Sequence, residues 1–186
     1  LVPVSVNISR ADLYHTELVD TLLWLIKQYD IDPKYLHLEI TESAYTENSK
    51  QIIATVDALR AKGFIIEMDD FGSGYSSLNM LSQLKLDILK LDMKFVQSET
   101  SQSADRGILR LIVEMAHRMN LSVVAEGVET QHQLSRLQEI GCDYVQGYLF
   151  SKPVPHVQYG ELLENFSQRQ DVPLPASPGS AGAKQF

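Results

Sequence analysis

Cysteine is almost absent from this chain. Cys142 is the only one among 186 residues, which excludes an internal disulfide and fits a reducing compartment. Long apolar runs are missing too. None approaches the roughly 18 residues of a membrane span, and Leu1-Val2-Pro3-Val4 reads like the middle of a fold, not a signal peptide. The expectation is a cytoplasmic chain, anchored to a membrane only if another domain of a longer protein does so. Basic residues are scarce: 16 Lys and Arg stand against 24 Asp and Glu, a net charge of -8 with pI near 5.1. That balance disfavours a nucleic-acid polymer or an anionic membrane as partner. An anionic ligand would need cations to mediate its binding.

What is present is organised around Phe64-Ile65-Ile66-Glu67-Met68-Asp69-Asp70-Phe71-Gly72-Ser73-Gly74-Tyr75-Ser76-Ser77-Leu78. Phe64 to Met68 has the length and composition of a strand and ends on two adjacent acids. Gly72 and Gly74 free the backbone for a tight turn before a helical pattern. Adjacent carboxylates at a buried strand end repel and lose hydration, which is costly unless a cation sits there. The plainer alternative is a helix cap followed by a glycine turn.

Along the chain, strand and helix alternate six times. The expected strands are Val4 to Ile8, Tyr35 to Ile40, Phe64 to Met68, Leu86 to Leu91, Ser122 to Ala125 and Asp143 to Gln146. Amphipathic helices are expected over Glu17 to Tyr29, Glu47 to Lys62, Asp105 to Asn120, Thr130 to Ile140 and His156 to Phe166, with a short helical turn around Leu78 to Leu81. From residue 167 to 186 the sequence is rich in Pro, Gly, Ser and Ala and reads as a disordered tail or linker. Alternation at this rhythm means parallel strands with crossover helices, an α/β fold.

In such folds ligands gather at the C-terminal ends of the strands. Those ends carry Asn7, Glu39, Asp69 with Asp70, Lys90, Glu126 and Gln146. Capping could account for one or two of them, but not for Lys90, whose charge is wrong for a helix N-terminus. Six polar ends converging on one mouth point to a site. Four carboxylates and an amide are hard oxygen ligands, while no histidine falls at a strand end and Cys142 precedes the sixth strand. Zinc is therefore disfavoured, and magnesium or manganese suits the set, with calcium able to fit. Paired acids can hold two metals for attack of water on a phosphate ester. Lys90 could orient that water or steady phosphate charge; its bland alternative is to serve as counter-ion for Asp92 on the same strand face.

Taken together, Leu38-Glu39-Ile40-Thr41-Glu42, the Asp69 to Leu78 stretch, Lys90-Leu91-Asp92, Glu126-Gly127-Val128-Glu129 and Gln146-Gly147-Tyr148 resemble the ordered motifs of the EAL domain, the family of bacterial cyclic-di-GMP phosphodiesterases. The likeness runs from Val4 to about Phe166, so residues 1–166 would form the domain. It implies a TIM-like barrel and hydrolysis of cyclic-di-GMP to linear pGpG. By that resemblance Asn7, Glu39 and Asp69 match metal ligands, and Asp70 with Glu126 matches the second of two magnesium or manganese sites. Lys90 matches the lysine beside the hydrolytic water. Glu42 matches an acid anchoring the Phe71 to Ser77 loop, Gln146 a residue lining the site, and Glu129 a supporting acid. A homodimer through helices near that loop, and an upstream sensor or cyclase-like domain, are also implied. Ser73 stands where the family commonly has threonine.

The Glu-Ala-Leu segment that names the family, with its metal-binding glutamate, is not in the sequence. A closed barrel has eight strands over about 250 residues, so the six expected here suggest a domain lacking two N-terminal strand-helix units. Three readings follow. The chain belongs to an active phosphodiesterase, to a non-catalytic cyclic-di-GMP receptor, or to a structural α/β module. The filled ligand positions favour the first. Protein-kinase kinship, suggested by Asp70-Phe71-Gly72, fails for want of a Gly-rich phosphate loop and a matching catalytic loop.

Overall fold

A computed structural model describes residues 2–41, 44, 49–72, 78–100 and 107–168. The chain divides into two compact units, Leu1–Phe150 and Ser151–Phe186. The first is wound as strand and helix in turn. Its strands are β1 (Val4–Asn7), β2 (Leu36–Thr41), β3 (Ile65–Phe71), β4 (Ile88–Leu91), β5 (Ser122–Ala125) and β6 (Tyr144–Val145). Its helices are α1 (Arg10–Leu13), α2 (Leu18–Gln28), α3 (Ser49–Ala61), α4 (Leu78–Gln83), α5 (Met93–Thr100), α6 (Ile108–Arg118) and α7 (Gln131–Glu139). The second unit contains α8 (His156–Gln168). The tail expected beyond it lies outside the described residues from position 169 on.

All five strand pairings are parallel, in the sequential order β1-β2-β3-β4-β5-β6. This is the winding of a (β/α) barrel, and each step is a crossover through helix. Register puts Ile40 beside Met68, Met68 beside Leu89, Leu89 beside Val123, and Leu91 beside Ala125. All of these are fully buried and belong to the main core with Ile52, Val56 and Leu59 of α3 and Val113 and Ala116 of α6. The alternate positions are polar: Asn7 is the partner of Glu39, Glu39 of Glu67, and Thr41 of Asp69. Because side chains alternate with period two, one face of the sheet is apolar and carries the helices while the other carries the charges.

Two helices escape the sequence reading. α1 is a single turn closed by a capping box, in which Ser9 Oγ accepts from the Asp12 N–H and the Asp12 carboxylate accepts from the Ser9 N–H. α5 begins directly after β4, and Asp92 Oδ1 accepts from the N–H groups of Lys94 and Phe95 at 2.8 and 3.3 Å. Asp92 is thus an N-cap, not the partner of Lys90. A third correction concerns β3, which does not stop at Met68 but runs through both aspartates to Phe71.

At the other end of the strands, carboxylates tie neighbouring units together. Asp87, just before β4, binds Arg60 of α3 through both oxygens, at 2.6 and 3.1 Å, and accepts from the Ile66 N–H at 3.0 Å. Asp143, before β6, takes the Val123 N–H at 2.7 Å and His117 of α6 at 2.8 Å. Each acid accepts from the N–H of the second residue of the strand beside it. Asp87→Ala leaves a guanidinium and a backbone N–H without partners. We expect a loss of about 1–3 kcal/mol in urea unfolding, with cation binding at the opposite strand ends unchanged.

Candidate functional site

The charged face of the sheet centres on Lys90. Its position on β4 between Leu89 and Leu91, both fully buried, leaves the ammonium 5% exposed. Nζ lies 2.6 Å from Glu39 Oε1, 2.6 Å from Glu126 Oε1 and 3.1 Å from Asp69 Oδ1. Burial by itself would push the lysine down. The hydrogen bonds to Glu126 and Glu39 outweigh it, so the ammonium is held above its ordinary value and stays charged. One cation faces three carboxylates, and the surplus is negative.

The Asp69-Asp70 pair is brought to this centre by an irregularity. In a regular strand, consecutive side chains point to opposite faces. Between Met68 and Phe71 the register with β4 shifts, and Asp70 adopts φ +57°, the left-handed region. With that bulge, one oxygen each from Asp69, Asp70 and Glu126 come within 4.8 Å of one another. Gly72, at φ +98°, then turns the chain, with Phe95 so close that a Cβ on Gly72 would stand 3.1 Å from its ring. Partial burial, and then the charges of Asp69 and Asp92, raise the Asp70 carboxyl. Burial raises Glu126 despite its bond to Lys90.

Asp69 Oδ1 is the one buried side-chain polar atom among the described residues with no hydrogen-bond partner. It is 3.1 Å from Lys90 Nζ, but in an ion pair without hydrogen-bond alignment. An orphaned carboxylate oxygen beside two further acids, all of them hard donors, fits a divalent cation.

Asn7 stands beside Glu39 in register at the end of β1 and is exposed. Gln146, after β6, holds the adjoining loop through its backbone: its N–H donates to Ala125 O and its carbonyl accepts from Val128. Glu129 is exposed, with its N–H donating to Gln133 Oε1 at the start of α7. Glu42 and residues 73–77 of the loop lie outside the described residues. The strand-end reading misses one pair, His37 and Glu67. Nδ1 of His37 lies 2.5 Å from Glu67 Oε1, and Glu67 is only 3% exposed. The signal was the period: each stands two positions before a site acid, on the same face.

Comparison with known proteins decides the family. The sequence profile of the EAL domain matches residues 1–153. The chain belongs to the EAL domain family. Cyclic di-GMP phosphodiesterase NbdA of Pseudomonas aeruginosa is 41% identical over 171 residues, 92% of this chain and 22% of that protein. The chain therefore spans about a fifth of the length of such curated relatives. Among solved structures, a PaMucR phosphodiesterase in complex with c-di-GMP superposes with TM-score 0.78 at 36% identity, covering 84% of this chain and 64% of that one. Klebsiella pneumoniae BlrP1, in a manganese and cy-diGMP complex, gives TM-score 0.76 at 30% identity, over 81% and 39% of the two chains. EAL domains have a TIM-barrel fold, and the open six-stranded sheet here follows its winding.

Two outcomes follow for this EAL domain. Lys90→Met removes the cation paired with three acids, and we expect about 3–5 kcal/mol lower stability without metal. Added divalent cation should restore more of the melting temperature than in wild type. The second outcome concerns pH. Asp70 and Glu126 sit above their ordinary 3.8 and 4.5, so each contributes stability at low pH that is lost as pH rises through its folded value. A bound cation reverses this sign. Calorimetric titration should show Mn2+ uptake weakening on acidification from a pH above the ordinary carboxylate range.

Proposed function

We propose that this chain forms part of the catalytic domain of a divalent-cation-dependent phosphodiesterase that opens one phosphodiester bond of cyclic di-GMP to give linear pGpG. The observation that carries the reading is the Asp69 oxygen without a hydrogen bond beside Asp70 and Glu126, with the Lys90 ammonium against Asp69 and Glu126. In this reading Asn7, Glu39 and Asp69 hold one ion, and Asp70 with Glu126 the second, the ions being magnesium or manganese. When bound, such ions neutralise the acids, polarise a phosphoryl oxygen and lower the pKa of water.

The chain's own residues do the rest. Lys90, as an ammonium, offers hydrogen bonds that orient the attacking water or steady the phosphate. Glu126 shares the ammonium and holds its orientation. In this reading Gln146 and Glu129 would meet the nucleotide at the edge of the site. For Glu42 the reading keeps the role that the family resemblance implies. With a net charge of -8, the protein must meet an anionic substrate through its cations. The same reading includes a homodimer, a cytoplasmic setting and an upstream sensor or cyclase-like domain. Among the described residues no helix is long and apolar enough to cross a membrane.

The test uses the full-length protein. Mn2+ or Mg2+ at about a hundred times Kd should stabilise it by about 2.7 kcal/mol, and Asp69→Ala should abolish that rise. With either ion, cyclic di-GMP should be converted to pGpG, followed by chromatography. A melting curve indifferent to both ions, or binding of cyclic di-GMP without turnover, would sink the reading.

A further inference from the structure

The segment after β5 is gripped from two sides by groups outside the acid cluster. β5 ends at Ala125, so Glu126 has no strand of its own to fix it. Its N–H donates to Leu91 O at 3.1 Å. Gly127 follows at φ +68°, and a Cβ there would stand 2.0 Å from Met93 Cγ, so the first residue of α5 lies directly over it. Val128, fully buried, is clasped by the chain that follows β6. Its N–H donates to Gln146 O at 3.0 Å, and its carbonyl accepts from Leu149 at 2.9 Å. A Cβ on Gly147 would lie 2.2 Å from Val128 O and 2.3 Å from Val128 N. Those atoms are backbone and cannot swing away, so the clasp closes as seen only with glycine at 147.

Asp69 and Asp70 come from β3 and owe nothing to this grip. Of the three clustered acids, Glu126 is the one that directly precedes the gripped residues Gly127 and Val128. We propose that Gly147 and Met93 are positioning residues for the Glu126 carboxylate, setting cation affinity by fixing the backbone at Val128 and Gly127. The inference rests on the reading of Glu126 as a cation-holding acid. Groups that orient a ligand from behind typically change metal affinity by about 10- to 100-fold when altered.

The experiment is Mn2+ titration of the full-length protein by calorimetry, with thermal melting of the metal-free form alongside. Gly147→Ala should weaken Mn2+ binding by about tenfold or more while a cooperative melt persists. Met93 is 40% exposed, so Met93→Ala leaves no buried hole; it should weaken binding by a smaller factor than Gly147→Ala, without a matching loss of melting temperature. Gly141→Ala is the control. Gly141 has φ +81° and open space around it, at the far end of β6. Alanine there should lower the melting temperature yet leave Mn2+ affinity unchanged, which separates general strain from positioning. If Gly147→Ala does not fold, Met93→Ala decides. Wild-type binding left unchanged by the variants that fold overturns this inference alone. A wild type that binds no Mn2+ overturns the functional reading and the inference with it.

Discussion

One buried ammonium among three carboxylates is the constraint around which the sheet is arranged. Lys90 can be 5% exposed and charged only because Glu39, Asp69 and Glu126 come to it from three other strand ends. Those acids in turn tolerate one another only because it is there. Neither half is stable alone, so four strands must hold their C-terminal ends in register. The helix-covered face meets that demand with close-packed apolar layers, and Asp87 and Asp143 lock the opposite ends.

The arrangement is also incomplete as a charge balance, and that is its use. Asp70 adds a fourth acid, and Asp69 keeps a buried oxygen without a hydrogen bond. A site that satisfied itself fully would have nothing to offer a cation. Negative charge sits where burial makes it expensive, so a cation bound there would stabilise the fold.

Much of this was legible in the sequence because hydrophobic alternation locates strands, and parallel strands present their ends together. Asn7, Glu39, Asp69, Lys90, Glu126 and Gln146 were picked out by their place near strand ends, and of these the ion pairs bring Glu39, Asp69 and Glu126 against Lys90. The misses have physical causes. β3 seemed to stop at Met68 because two aspartates look like strand breakers, yet a bulge carries the pairing to Phe71. α5 was overlooked because its start signal, Asp92, was considered only as a partner for Lys90, while its two hydrogen bonds go to backbone. His37 and Glu67 were passed over since attention stayed on strand ends, and a satisfied pair one layer down breaks no hydrophobic pattern. Glu42 announces nothing by periodicity and depends wholly on the motif around it.

The left-handed backbone at Asp70 has an evolutionary edge. An L-residue in that conformation costs about 1–2 kcal/mol that glycine would not incur. The chain would thus be sturdier with glycine at 70, and a single-codon change is enough to make it so. Stability alone would favour glycine over the acid at this position. If Asp70 holds a cation as proposed, a lineage that no longer needed the ion could change position 70 to glycine and gain stability by doing so.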